Sequence, residues 1–287
     1  MNDESLSLIK SRRSFIFTPA TNPRMHLKAI SSGADIVCIE LEDGIAPHEK
    51  TEARENGIKL LADPAEFSAV EHVIRINSTR TKFGIEDIHA ITQEKSFATT
   101  IMLPKVKNPE EVKWLDALLS DLESKANIQV IIETNEGLDS CFEIAHASDR
   151  LSALFFGGFD MAADLRCENK WESLLYARSK IVHAAASAQL DCLDVPYLNL
   201  QNQAGLEKEA RLAKELGFTG KGAIHPKQIP IINDIFTPSK KEIDRALQII
   251  DAFKSANTGL VVVDGKLIEK PVIREMQRIL SIATRIN

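Results

Sequence analysis

Residues 128–137 read IQVIIETNEG and residues 151–165 read LSALFFGGFDMAADL, with a polar stretch of helical character between them. Each begins as a short apolar run and leads to a carboxylate, Glu133 in the first and Asp160 in the second. The interval suits one strand–helix–strand unit. Parallel strands joined by a crossover end on the same edge of their sheet. If each run is a strand ending at its acid, both carboxylates emerge on one rim. Two hard oxygen donors there suit a magnesium-type ion. The plainer reading makes each acid a helix cap or first-turn residue after a strand. The rest of the chain has to decide.

Upstream, RSFIFTP (13–19), IVCIEL (36–41), HVIRIN (72–77) and TIMLPKV (100–106) are further apolar or β-branched runs. Downstream come CLDVPYLNL (192–200), blemished by Pro196, and the glycine-rich TGKGAI (219–224). Amphipathic helical stretches separate them, among them residues 49–61, 109–125, 172–189 and 204–216. The runs are nearly continuous in apolar residues, as burial on both faces requires. Eight such β–α alternations predict an α/β fold, a (β/α)8 TIM barrel over residues 1–230. A doubly wound sheet would want a glycine-rich phosphate turn after the first strand, and TPATNPR (18–24) supplies none. Residues 231–287 read as a C-terminal helix–hairpin–helix extension, with the hairpin turning at Asp264-Gly265. The extension is expected to be too small to bury a core alone, and so to pack on the barrel or on a neighbouring subunit.

Composition narrows the function classes. The chain has 287 residues, 44% hydrophobic and 26% charged, as in a globular protein, and no apolar run of membrane-spanning length. A net charge of −6 without a long basic tract argues against nucleic acid as a partner. Cys38, Cys141, Cys167 and Cys192 are scattered, with no CxxC pair, and read as small core residues in a reduced compartment. MNDESLSLIKSRR (1–13) resembles neither a signal peptide nor a transit peptide, so the expected location is cytoplasmic.

Active sites of such barrels lie at the C-terminal ends of the strands. Those ends carry Glu42 and Asp43, Arg75, Lys105, Glu133, Asp160, Asn199 and His225. Glu133 and Asp160 are the candidate metal ligands, since magnesium takes one or two carboxylates and fills its shell with water and substrate oxygens. Glu42 and Asp43 would orient those waters. Arg75 suits a bidentate grip on a substrate carboxylate, or an internal ion pair with the same acids. Lys105 balances charge or, in a different chemistry, forms a Schiff base. His225 reads as a hydrogen-bonded structural residue. Arg12, Arg13, Arg24, His26 and Lys28 form a basic cluster, either a solvated helix face or an anion site at the rim.

RRSFIFTPATNPR, IELEDGIAPHEKTEAR, VIRINS, IMLPKV, IETNEG, GGFDMAADL and GFTGKGAIHPKQI, in this order, resemble the citrate lyase β-subunit-like proteins of the HpcH/HpaI aldolase superfamily, and among them the citramalyl-CoA lyases. The resemblance runs from Arg12 to Ile286. It implies an often trimeric TIM-barrel lyase that cleaves or forms a C–C bond in a 3-hydroxyacyl-CoA. It implies Mg2+ on Glu133 and Asp160, substrate binding by Arg75, and coenzyme A contacts by Arg24, Lys28 and Lys221. An aspartate that relatives send into a neighbour's active site is matched by Glu269. Two other positions depart from the pattern, Asn199 for an aspartate and Arg166 for a glycine.

The expected reaction is cleavage of (3S)-citramalyl-CoA to acetyl-CoA and pyruvate, with Glu269 as a proton carrier and the general base unassigned. Malyl- or β-methylmalyl-CoA cleavage and the β subunit of a citrate lyase, acting on an acyl carrier protein, are the enzymatic alternatives. A CoA-binding scaffold is the non-enzymatic one.

Overall fold

The apolar runs become eight parallel strands that close into a barrel in sequence order: β1 (Ser14–Pro19), β2 (Ile36–Glu40), β3 (Glu71–Arg75), β4 (Thr100–Leu103), β5 (Asn127–Ile132), β6 (Leu151–Phe156), β7 (Asp191–Asp194) and β8 (Gly220–Ala223), with β8 pairing β1. The computed structural model describes residues 11–61, 70–93, 100–256, 260–263 and 265–286. The chain divides into two compact units, Arg12–Asn233 and a second formed from Asp234 onward. No helix among the described residues is long and apolar enough to cross a membrane.

Strand alternation fills the barrel. Phe15, Ile36, Cys38, Val73, Met102, Ile131, Ala153, Phe155 and Leu193 form one buried cluster. Within it Phe15 and Phe155 pack 5.0 Å apart between ring centroids, and Phe17 lies 5.5 Å from Phe155. Such pairs add about 0.5–1.5 kcal/mol beyond their buried area. Gly222 makes room for them, because a Cβ there would come within 2.8 Å of Phe155 and of Pro196.

The N-terminal end of the barrel is closed by a polar plug inside the strands. Arg12 Nε donates to Glu71 Oε2 at 2.7 Å and its Nη1 to Asp191 Oδ2 at 2.9 Å, while Gln129 Nε2 and Thr100 Oγ1 donate to Glu71 Oε1 at 3.2 Å. Arg12 is therefore removed from the expected rim cluster. Arg13 is removed too, bound to Asp35 at 2.7 Å.

Several boundaries differ from expectation. β6 stops at Phe156, short of Asp160, because Gly157 begins the turn into the helix Gly158–Leu165. β7 ends at Asp194, before Pro196, which has no N–H to extend the ladder. The single helix expected near 138–147 is two short ones, Asn135–Asp139 and Cys141–Ala145.

The second unit contains the helix Lys240–Ser255, a hairpin of β9 (Leu260–Val263) and β10 (Lys266–Glu269), and the helix Lys270–Ile286. Asp264, expected in the turn, lies outside the described residues. The expectation that this segment has no core of its own is corrected. Ala246, Ile249, Ile268 and Met276 are buried together, with Val261, Val263, Ile273, Ile279 and Leu280 packed on them.

Candidate active site

Glu133 follows β5 directly, and its side chain is 2% exposed at the mouth of the barrel. Two local features hold it there. The backbone N–H of Lys105 donates to Glu133 Oε1 at 2.8 Å, with Lys105 in the left-handed region at φ 54°. Gly157, at the end of β6, lies so close that a Cβ would collide with the Glu133 carboxylate. Thr134 then caps the next helix by accepting from the Gly137 N–H at 3.0 Å. Asp160 stands in the first turn of Gly158–Leu165, its side chain 44% exposed. The helix-turn reading is thus right in local structure for Asp160, and it does not remove the acid from the rim.

Around them the charges interlock. Arg75 ends β3, where it is in register with Glu40 of β2. Its Nε pairs with Glu40 and its Nη1 lies 3.4 Å from Glu42 Oε2. The guanidinium also sits 5.0 Å over the Phe17 ring. Burial works against its charge, but Glu40 and Glu42 outweigh that and raise its pKa. Lys105 Nζ pairs with Glu42, lies 2.6 Å from Asp43 Oδ2 and 3.9 Å from Asp160 Oδ1. Burial opposes the ammonium, yet Asp43 and Glu42 raise its pKa. A Schiff-base lysine needs the opposite shift, so the Lys105 aldolase chemistry is disfavoured.

Glu40 is the last residue of β2 and was missed because the apolar run was read through Leu41. The signal for it is the alternation Ile36, Cys38, Glu40, which puts a buried carboxylate on the same face as two core residues.

A cavity of about 380 Å³ opens over this cluster. Glu40, Asp43, Arg75, Glu133 and Asp160 line its polar side. The remaining wall is apolar, built from Phe17, Ile131, Phe155, Phe159, Val195, Pro196, Leu198 and Ile224.

Residues 13–226 match the family model HpcH/HpaI aldolase/citrate lyase. The chain belongs to that family. The citrate lyase β subunit of Leuconostoc mesenteroides subsp. cremoris is 32% identical, over 99% of this chain and 95% of that protein. The mitochondrial citramalyl-CoA lyase of Homo sapiens is also 32% identical, over 96% of this chain and 86% of its own. Among solved structures, protein CitE from Mycobacterium tuberculosis in complex with magnesium, acetoacetate and coenzyme A superposes with a TM-score of 0.77 at 28% identity, covering 96% of this chain and 98% of that one. This member of the HpcH/HpaI family is a carbon–carbon lyase.

The lyase's acids fit a magnesium ion on their own chemistry. Among the described residues no three His, Cys, Asp or Glu side chains converge as a ready cage. Two carboxylates on one cavity wall are what magnesium takes when waters and substrate complete its shell. The site also carries a surplus of negative charge. Burial first, and then Asp160 and Glu42, push the Glu133 carboxyl up to about 8, despite Arg75 and Lys105. A divalent cation relieves that strain.

The other expected site residues are not part of the cavity's lining. Arg24 and Lys28 are exposed on the helix Pro23–Ile30, whereas His26 of the same helix is buried against Thr18. Lys221 is 0% exposed, and its ammonium donates to Asp194 Oδ2 at 2.6 Å, Val195 O at 2.7 Å and Glu209 Oε1 at 2.7 Å. Its three protons are thereby used within the chain, so the expected contact with a nucleotide is corrected to a structural tie. His225 Nδ1 accepts from the Lys227 N–H at 3.1 Å, as a cap. Asn199 lies in the irregular stretch after β7, accepting from the Gln201 N–H at 3.1 Å. Glu269 belongs to β10 of the second unit and is exposed.

Proposed function

We propose that this lyase cleaves (3S)-citramalyl-CoA to acetyl-CoA and pyruvate. The observation that carries the acyl group is the apolar wall facing Arg75. The half of the substrate that becomes the 2-oxo acid carries one carboxylate, which Arg75 can hold through its guanidinium fork. Its remaining substituent meets Val195, Pro196, Leu198 and Ile224. A methyl group suits that wall. The second carboxylate of a citryl group would be desolvated there without a cation, and a malyl hydrogen would leave the space unfilled.

The cofactor is Mg2+, held by Glu133 and Asp160. When bound it supplies Lewis-acid polarisation of the substrate's hydroxyl and carboxylate oxygens. Asp43 on the cavity wall and Glu42 behind it, both bound by Lys105, would orient water there. Arg75 holds the substrate carboxylate while the hydroxyl proton passes to a base. The bond between the hydroxyl-bearing carbon and the thioester's α-carbon then breaks, and its electron pair moves into the thioester enolate. Protonation of that α-carbon releases acetyl-CoA, and the hydroxyl carbon leaves as the ketone of pyruvate.

Glu269 is the proposed proton source, delivered by a neighbouring copy. In the hairpin, Leu267 pairs with Val262 and Glu269 with Leu260, so three exposed apolar side chains share a face with this acid. Such a face suits docking on another subunit's rim in a homo-oligomer, with a trimer as the expected form. Arg24 and Lys28, exposed on the helix that follows β1, are proposed to meet coenzyme A phosphates.

The test is relative kcat/KM for citramalyl-, malyl- and citryl-CoA, and for a citryl acyl carrier protein, with the 2-oxo acid identified. Citramalyl-CoA giving pyruvate should lead. Preferred release of oxaloacetate, or dependence on the carrier protein, would replace this reading with that of a citrate lyase β subunit.

A further inference from the structure

Lys50 opens the helix Lys50–Leu61 and is 7% exposed, yet it has no direct ion pair among the described contacts. Its ammonium donates to three uncharged oxygens: Leu41 O at 2.8 Å, Glu42 O at 2.6 Å and Asn77 Oδ1 at 2.6 Å. Burying an ammonium is costly unless its protons are satisfied and opposite charge is near. Here the protons go to backbone and amide, and the compensating charge sits a step further out, on Glu42, Glu40, Asp87 and Asp43.

These acceptors belong to the two loops that carry the site. Leu41 and Glu42 follow β2 and lead into Asp43. Asn77 follows β3, two residues beyond Arg75. The amide of Asn77 also donates to Leu41 O at 2.9 Å and to Asp87 Oδ2 at 2.7 Å, and Asp87 is bound by Arg54 Nε at 2.7 Å. Lys50 and Arg54 are thus the lysine and arginine of the IELEDGIAPHEKTEAR stretch, and both act behind the acids.

We infer that Lys50 is a positioning residue for the Glu42–Asp43 pair and for Arg75. Its ammonium pins the carbonyls of Leu41 and Glu42 to the loop of Asn77. That sets the reach from which Glu42 contacts both Arg75 and Lys105, and it puts a fixed positive charge beneath a surplus of carboxylates. An apolar side chain of equal length would leave both carbonyls and Asn77 Oδ1 without this donor and let the acidic loop move. The inference rests on the proposed reading of the site, since it concerns the grip on a 2-oxo acid.

The experiment compares wild type with Lys50→Met and Lys50→Arg, measuring pyruvate affinity and coenzyme A affinity by calorimetry, Mn2+ affinity by electron paramagnetic resonance, and the denaturation midpoint. For a folded Lys50→Met protein, pyruvate and Mn2+ binding should weaken about 10- to 100-fold, the range for partners that orient a site from behind. Coenzyme A alone should bind as in wild type. Where Lys50→Met does not fold, Lys50→Arg decides, because it keeps the charge but not the three-point geometry, and the same selective loss is expected. A lowered midpoint with pyruvate and Mn2+ affinities within a factor of about two of wild type would overturn the inference and leave Lys50 a structural residue. Wild type that binds neither pyruvate nor Mn2+ would instead sink the reading of the site itself.

Discussion

Glu133 is the residue on which the electrostatics of the site converge. It is buried, it accepts a backbone hydrogen bond from Lys105, and Asp160 and Glu42 share its surroundings. Glu133→Gln keeps the shape and removes a charge that the metal-free fold already disfavours. The expected outcome is loss of Mg2+ binding and turnover, about 100-fold or more, with an unchanged unfolding midpoint by circular dichroism. The pH dependence follows from the same group. Its carboxyl is raised from an ordinary 4.5 to about 8. Between those values the folded, metal-free chain keeps a proton that the unfolded chain has lost. Stability of the metal-free protein therefore falls as pH rises through that window. Mg2+ has to displace the proton, so its affinity should rise by up to about tenfold per pH unit below about pH 8 and level off above it. Titration calorimetry in buffers of different ionisation enthalpy would show the proton released.

At this scale the sequence was readable wherever chemistry sits at a strand end. Glu133, Asp160, Arg75 and Asp43 line one cavity, with Glu42 buried behind it, because parallel strands and the turns that follow them share a rim. Glu40 was hidden because the apolar run continues to Leu41, which put the expected strand end at Glu42-Asp43, whereas β2 stops at Glu40. Lys221 was misplaced because a lysine beside two glycines looks accessible, whereas Asp194 and Glu209 claim it from neighbouring elements.

At the scale of elements, Asp194 of β7 ties the barrel to its outer helices. It accepts from Lys221 of β8 at 2.6 Å and from Arg178 of the helix Leu175–Ser187 at 2.9 Å. Arg178 is also stacked between Trp171 and Phe156, at 4.3 and 4.8 Å. Asp194→Asn takes the carboxylate partner from buried Arg178 and leaves Lys221 with the Glu209 carboxylate alone, and the expected loss is about 3–5 kcal/mol in urea unfolding. The reverse case is Arg166, which ends the helix Gly158–Leu165 at φ 58°, a conformation that glycine adopts freely. Arg166→Gly should raise stability by up to about 1 kcal/mol in the same assay. The existence of each strand was legible from its apolar run, but its last residue was not. Where β6 and β7 stop is decided by Gly157 and Pro196, which set the turn only once the helix or loop beyond is placed. The residues 138–147 likewise carried enough apolar periodicity for one helix, while Ser140 divides it in two.

For the whole molecule, the barrel was legible because eight runs at short intervals leave few ways to cover both faces of a parallel sheet. The helix–hairpin–helix order of the second unit was legible too, but its buried cluster was not. Its small core depends on the hairpin folding between two helices, and short periodic segments do not reveal such mutual coverage. Function also belongs to this scale, because the proposed metal acids, the arginine and the apolar wall come from different elements and meet only in one cavity. The most direct measurement is pyruvate release from (3S)-citramalyl-CoA by the purified full chain, with Mg2+ and after its removal by EDTA. Pyruvate and acetyl-CoA should form in equal amounts with Mg2+, cease in EDTA and return when Mg2+ is restored. Equal turnover in EDTA, or no 2-oxo acid from this or any other 3-hydroxyacyl thioester, would contradict the account.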